Sequence, residues 1–165
     1  MSNIWKADDD VNNAVKSLIA NFHPQLAVCD EEIAVLFKEK ASKSGDLVIP
    51  GKAAKAGALT ALLGDRDYKF VLTLGADVWN ELSDSHRTAL LDRLLCACQV
   101  EEDPKTQEFK YSIRRPDVEY YRDEVKRHGF WFTSGAGSDS DLVSKVFGAE
   151  EEDSSDSDTG SYDQE

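Results

Sequence analysis

The sequence predicts an α+β fold, a small mixed sheet packed with helices. Three observations carry this. An early segment repeats apolar residues at helical spacing. Two short apolar runs, "EIAVLF" and "FVLTL", read as strands, and a leucine-rich stretch near the middle returns to helical spacing.

The first helix rests on Val11, Ala14, Val15, Leu18, Ile19 and Phe22, which form one apolar stripe at a period of 3.6 residues. Asp8, Asp9 and Asp10 stand at its start, where carboxylates accept from free N–H groups and oppose the dipole. Pro24 ends it. "EIAVLFKEK" then predicts a strand through Phe37, and "DLVIPG" a second one closed by a Pro-Gly turn. "KAAKAGALTALLGD" is rich in small residues and fits either helix or strand. The strongest strand is Phe70 to Leu74.

Ser83 or Ser85 can cap the central helix, whose stripe is Leu90, Leu91, Leu94, Leu95 and Cys98. A charged loop, "VEEDPKTQE", leads to a strand at "FKYSI". "RPDVEYYRDEVKRHG" reads as another helix, with Pro116 at its first position, Gly129 just past its end, and Val118, Tyr121 and Val125 facing inward. "FWF" follows as an apolar strand or plug. From Ser134 onward the composition is Ser/Gly/Asp, with a short apolar patch at Leu142, Val143, Val146 and Phe147. The expected organisation is one domain over 1–133, then a flexible linker and disordered acidic tail over 134–165.

Charge is uneven. The chain carries a net −13, and residues 149–165, "AEEEDSSDSDTGSYDQE", hold eight acids and no Lys or Arg. The remainder has 24 acids against 19 bases. A basic footprint for nucleic acid is absent overall, so no direct nucleic-acid binding is expected. The early basic run "KEKASKSGDLVIPGKAAK" reads as solvated surface. No apolar run approaches the roughly 20 residues that span a bilayer, and "MSNIWKADDD" lacks the features of a signal peptide. Three cysteines without framework spacing fit a reducing compartment. A cytoplasmic protein with no membrane partner is the expectation.

The histidines, His23, His86 and His128, each stand alone in their local sequence and read as structural. Cys96 and Cys98 are two apart, which on a helix turns their sulfurs roughly 200° from one another. They read as small buried hydrophobes rather than a clamp. Cys29 pairs with neither. "GK" at Gly51 and Lys52 lacks the other residues of a phosphate-binding loop, and no Ser/His/Asp arrangement is visible.

Two segments, "FVLTLGADVWNELSDSHRTALLDRLLCACQVEED" and "RRPDVEYYRDEVKRHGFWF", resemble the phage metallopeptidase family. With "HPQL" at His23 and "GKAAKAG", the likeness covers roughly residues 20 to 132. The resemblance implies a zincin-like metallopeptidase scaffold. Members carry a His-Glu-Leu-x-His core, commonly H-E-L-C-H-C, and a downstream His-Asp-Val segment. Two imidazoles four apart on a helix would hold zinc, and the adjacent Glu would act as base for water.

In this chain the departures fall on those positions. Arg93 stands for the first His, Leu94 for the base, Ala97 for the second His, and Pro116 for the downstream His. A guanidinium repels a dication, and the other three side chains offer no lone pair. The resemblance therefore implies a pseudoenzyme with no metal and no cofactor. Arg93 either supplies fixed positive charge, paired with Asp117 or Glu119, or points to solvent.

The expected function is that of a phage or prophage protein that binds a host or phage protein in the bacterial cytoplasm. It would act as an acidic, nucleic-acid-mimicking inhibitor of a defence or DNA-processing enzyme with a basic groove. Glu150, Glu151, Glu152, Asp153, Asp156 and Asp158 are the candidate binding residues. The alternative is a zinc metallopeptidase with a rearranged site drawn from His86, Cys96, Cys98 and His128.

Overall fold

The computed structural model describes residues 3–57, 64, 66–116, 119 and 121–129. It divides into two units, Met1–Arg115 and Pro116–Glu165.

In the first unit, β1 (Ile4–Lys6) precedes α1 (Asp9–Phe22) and a 3-10 segment (Pro24–Glu32). Then come β2 (Ile33–Lys38), β3 (Ser42–Ser44), β4 (Leu47–Ile49) and β5 (Gly51–Lys55). β6 (Phe70–Gly75) leads into α2 (Ala76–Glu81) and α3 (Asp84–Ala97), and β7 (Cys98–Glu102) and β8 (Phe109–Ile113) close the unit. The main sheet has the order β1-β2-β6-β5, with β2 and β6 parallel and both outer pairs antiparallel. β3–β4 and β7–β8 are separate two-stranded ribbons. The α+β architecture with a small mixed sheet is as the sequence predicts.

Alternation in the two central strands builds the core. Ile33, Val35 and Phe37 pair with Phe70, Leu72 and Leu74, so six apolar side chains share one face of the sheet. Val11, Val15, Leu18 and Ile19 of α1 and Leu90, Leu91, Leu94 and Leu95 of α3 complete the same cluster. Burying each such side chain contributes about 1.5–3 kcal/mol. Asp8 caps α1 by accepting from the Val11 N–H at 3.1 Å, and Ser83 caps α3 by accepting from the His86 N–H at 3.3 Å.

Several expectations need correction. Phe22 is 70% exposed although it continues the helical stripe, because α1 ends there and the chain turns at His23. Pro50-Gly51 is no turn: Gly51 opens β5 opposite Leu74. A Cβ at Gly51 would stand 3.0 Å from Leu94 Cδ1, so the missing side chain lets α3 approach the sheet. β1, β3 and α2 have no counterpart in the sequence reading. Each is short, below the length at which periodicity is readable. The charged loop shrinks as well, since Val100, Glu101 and Glu102 belong to β7.

In the second unit, α4 (Arg122–His128) begins six residues after Pro116. The Glu124 carboxylate accepts from the Tyr121 N–H at 3.1 Å, which fixes the start there. Tyr121, expected to face inward, is 83% exposed. Gly129 ends the helix at φ 67°, as its position predicts. Val118, "FWF", the expected boundary at 133/134 and the acidic tail lie outside the described residues. No described helix is long and apolar enough to cross a membrane.

Candidate metal-ligand cluster

α3 is the element on which the site depends. Leu90, Leu91, Leu94 and Leu95 face the core, and this fixes the rotation of the helix about its axis. Asp92 and Cys96, four apart, share a flank beside that stripe. Facing them is His23, the C-cap residue of α1, held there by backbone bonds from its N–H to the Ile19 carbonyl (3.0 Å) and from the Leu26 N–H to its own carbonyl (2.9 Å). Pro24 then starts the 3-10 segment, so the imidazole sits at a turn between two tied elements.

The His23 Nε2 and Asp92 Oδ1 atoms are 2.6 Å apart, a charge-assisted distance. His23 is buried, with 6% of its surface exposed. His23, Asp92 and Cys96 each present one ligand-type atom, and these atoms all lie within 4.8 Å of one another. Beside them is a pocket of about 470 Å³ lined by His23, Cys96, Phe22, Gln99 and Arg114, among others. The Arg114 N–H donates to the Ala97 carbonyl at 2.9 Å, and its Nε–H donates to the Cys96 carbonyl at 2.7 Å. Arg114, directly after β8, thereby satisfies the Cys96 and Ala97 carbonyls and fixes the helix end that carries Cys96.

The other cysteines lie in different surroundings. All three are thiols; Cys96 is exposed, and Cys29 and Cys98 are buried. Burial, with the nearby carboxylates of Glu32 and Asp30, pushes the Cys29 thiol up to about 11. Burial pushes Cys98 up to about 12, and its S–H donates to the Leu94 carbonyl at 3.5 Å. Both cysteines depart from the sequence reading: Cys96 is exposed, not buried, and Cys98 does not continue the stripe of α3 but opens β7 in extended backbone just past the helix end.

Of the positions on α3 singled out in the sequence, Cys96 belongs to the cluster and Arg93, Leu94, Ala97 and His86 do not. Arg93 is exposed, and among the described residues of the Met1–Arg115 unit it makes no ion pair. Its proposed partner Asp117 lies outside the described residues. Leu94 is a core residue, 5% exposed, and Ala97 is half-buried. Pro116 and Glu119 are exposed in the second unit, as is His128 in the last turn of α4. His86 is exposed and stands ten residues before Cys96, about 15 Å along the helix axis. The six acidic tail residues, Glu150, Glu151, Glu152, Asp153, Asp156 and Asp158, lie outside the described residues.

Sequence reasoning missed the Asp92–Cys96 pair because it looked for imidazoles and sulfurs, not for a carboxylate four residues before a cysteine. Set on Asp92 and Cys96, the pattern His-Glu-Leu-x-His reads Asp-Arg-Leu-Leu-Cys, and its leucine falls on Leu94. The face turned toward His23 thus begins one residue earlier than Arg93. The three residues carry a nitrogen, an oxygen and a sulfur donor of the kinds that hold zinc, so the cluster fits such an ion in chemistry.

A family model described as "Putative phage metallopeptidase" matches residues 3–146. No curated protein and no solved structure matches the chain.

Proposed function

This chain belongs to the phage metallopeptidase family, and we propose that within it the protein acts by binding another protein and not by hydrolysing peptides. One observation carries the proposal. Hydrolysis on this scaffold needs a carboxylate base on α3 directly after the first ligand position. Counted from Arg93, that position is Leu94, a buried isobutyl group. Counted from Asp92, it is Arg93, an exposed guanidinium that stays protonated. Neither residue can take a proton from water, whichever register applies.

The partner is a host or phage protein with a basic, nucleic-acid-binding groove. A net charge of −13, with eight acids between 149 and 165, supports this reading, because closely spaced negative charge competes for such a groove. The acidic run from Glu150 to Asp158 supplies the contacts. The site of action is the bacterial cytoplasm.

A second reading, a zinc peptidase with a rearranged site, is favoured by the approach of His23, Asp92 and Cys96. It relies on a base from outside α3. Incubating the zinc-supplemented protein with a mixed peptide library separates the two. No cleavage is expected, and chelator-sensitive cleavage would establish the second reading. The binding role is tested by capturing basic nucleic-acid-binding proteins on full-length chain and on chain lacking residues 149–165, across a salt series. Loss of capture and a flatter salt dependence on truncation are expected. Unchanged affinity and slope would remove the tail from the mechanism.

A further inference from the structure

Asp92 and Cys96 leave the same flank of α3 one turn apart, and His23 meets them from the end of α1. From that convergence we propose that His23 Nε2, Asp92 Oδ1 and Cys96 Sγ bind one divalent ion of the zinc class, with the fourth position turned to the pocket beside Phe22 and Arg114. This site goes beyond the binding role proposed above and does not depend on it.

The donor set is one imidazole, one carboxylate and one thiolate. The borderline imidazole and the soft thiolate favour zinc or cobalt over magnesium or calcium, which take all-oxygen sites. Two elements supply the three ligands, and both are anchored. The core leucines set the rotation of α3, and Arg114 fixes its end. His23 is fixed between α1 and the 3-10 segment.

Ligand atoms on a tetrahedral zinc stand roughly 3.3–3.8 Å apart. The His23–Asp92 distance of 2.6 Å therefore opens by less than about 1 Å on loading, within reach of a side-chain rotation at Asp92, whose side chain is 43% exposed. Binding exchanges the imidazole–carboxylate hydrogen bond for two metal bonds: the proton on His23 Nε2 leaves to solvent and the bound neutral imidazole carries its proton on Nδ1. The Cys96 thiol releases its proton to solvent as the sulfur–metal bond forms. Arg93, the neighbour of Asp92, is exposed, so water screens its charge from the ion.

The full-length protein, reduced and stripped of metal, is titrated with cobalt(II) and followed by absorption. One equivalent is expected to give visible bands of four-coordinate cobalt and a thiolate-to-cobalt charge-transfer band in the near ultraviolet. Zinc should abolish both and slow modification of Cys96 by a thiol reagent. Cys96→Ser, an exposed and conservative change, should lose the charge-transfer band while keeping the far-ultraviolet spectrum of the folded chain. Asp92→Asn should weaken cobalt binding at least about tenfold, since even losing a group that only orients a ligand costs that much. Absence of the charge-transfer band in the wild type, or its persistence in folded Cys96→Ser, would overturn the site. Peptide cleavage has no part in these readouts, so the site and the non-hydrolytic reading fail separately.

Discussion

His23 Nε2 lies 2.6 Å from Asp92 Oδ1, across 69 positions of sequence, and this contact ties the end of α1 to the outer flank of α3. The histidine is buried and the aspartate half-exposed. Removing the acceptor leaves a buried imidazole without it. Asp92→Ala should lower stability by about 1–3 kcal/mol, and Asp92→Asn, which keeps an acceptor oxygen, should cost less. Urea unfolding of the metal-free protein measures both, and equal losses would show that the contact does not stabilise the fold.

The cysteines should separate by reactivity. Cys96 is exposed, whereas Cys29 and Cys98 are 1% and 2% exposed. A thiol reagent at neutral pH should modify one cysteine rapidly in the metal-free native protein and the other two only on unfolding. Peptide mapping should place the fast adduct on Cys96.

Alkaline pH should destabilise the fold through Cys29. Its thiol is raised from 9.0 to about 11 when folded, chiefly by burial. The unfolded chain therefore loses this proton first. The stabilising term is fully present below pH 9.0 and is lost as pH rises through about 11. Cys29→Ala should flatten the stability profile across that window while creating a small cavity. A midpoint series in urea at rising pH measures it, and an unchanged slope would exclude Cys29 as the source.

Gly75→Ala should be costly. A Cβ there would stand 2.5 Å from Ala41 Cβ and 2.6 Å from Ala41 Cα, and backbone has little room to give. The approach is locked on both sides. The Gly75 N–H donates to the Pro50 carbonyl at 2.9 Å, and the Ala41 N–H donates to Asp77 Oδ1 at 2.8 Å. A loss of about 1–3 kcal/mol is expected from such overpacking. Gly45→Ala, where no neighbour lies within 4 Å but φ is +60°, should cost about 1 kcal/mol from backbone strain alone. Thermal denaturation of the two variants compares them.

The sequence by itself determined the helical stripes of α1 and α3, the two core strands and the family, because each is written in spacing or motif over a few neighbouring residues; it narrowed the caps to Asp8–Asp10 and to Ser83 or Ser85, and the structure selected Asp8 and Ser83. Only the tertiary structure decided which flank of α3 meets His23. A helix turns about 100° per residue, so a shift from Arg93 to Asp92 replaces a guanidinium with a carboxylate. That choice was set by how Leu91, Leu94 and Leu95 bury against the sheet. The contact from His23 to Asp92 spans 69 residues, and no local period encodes a distance of that kind.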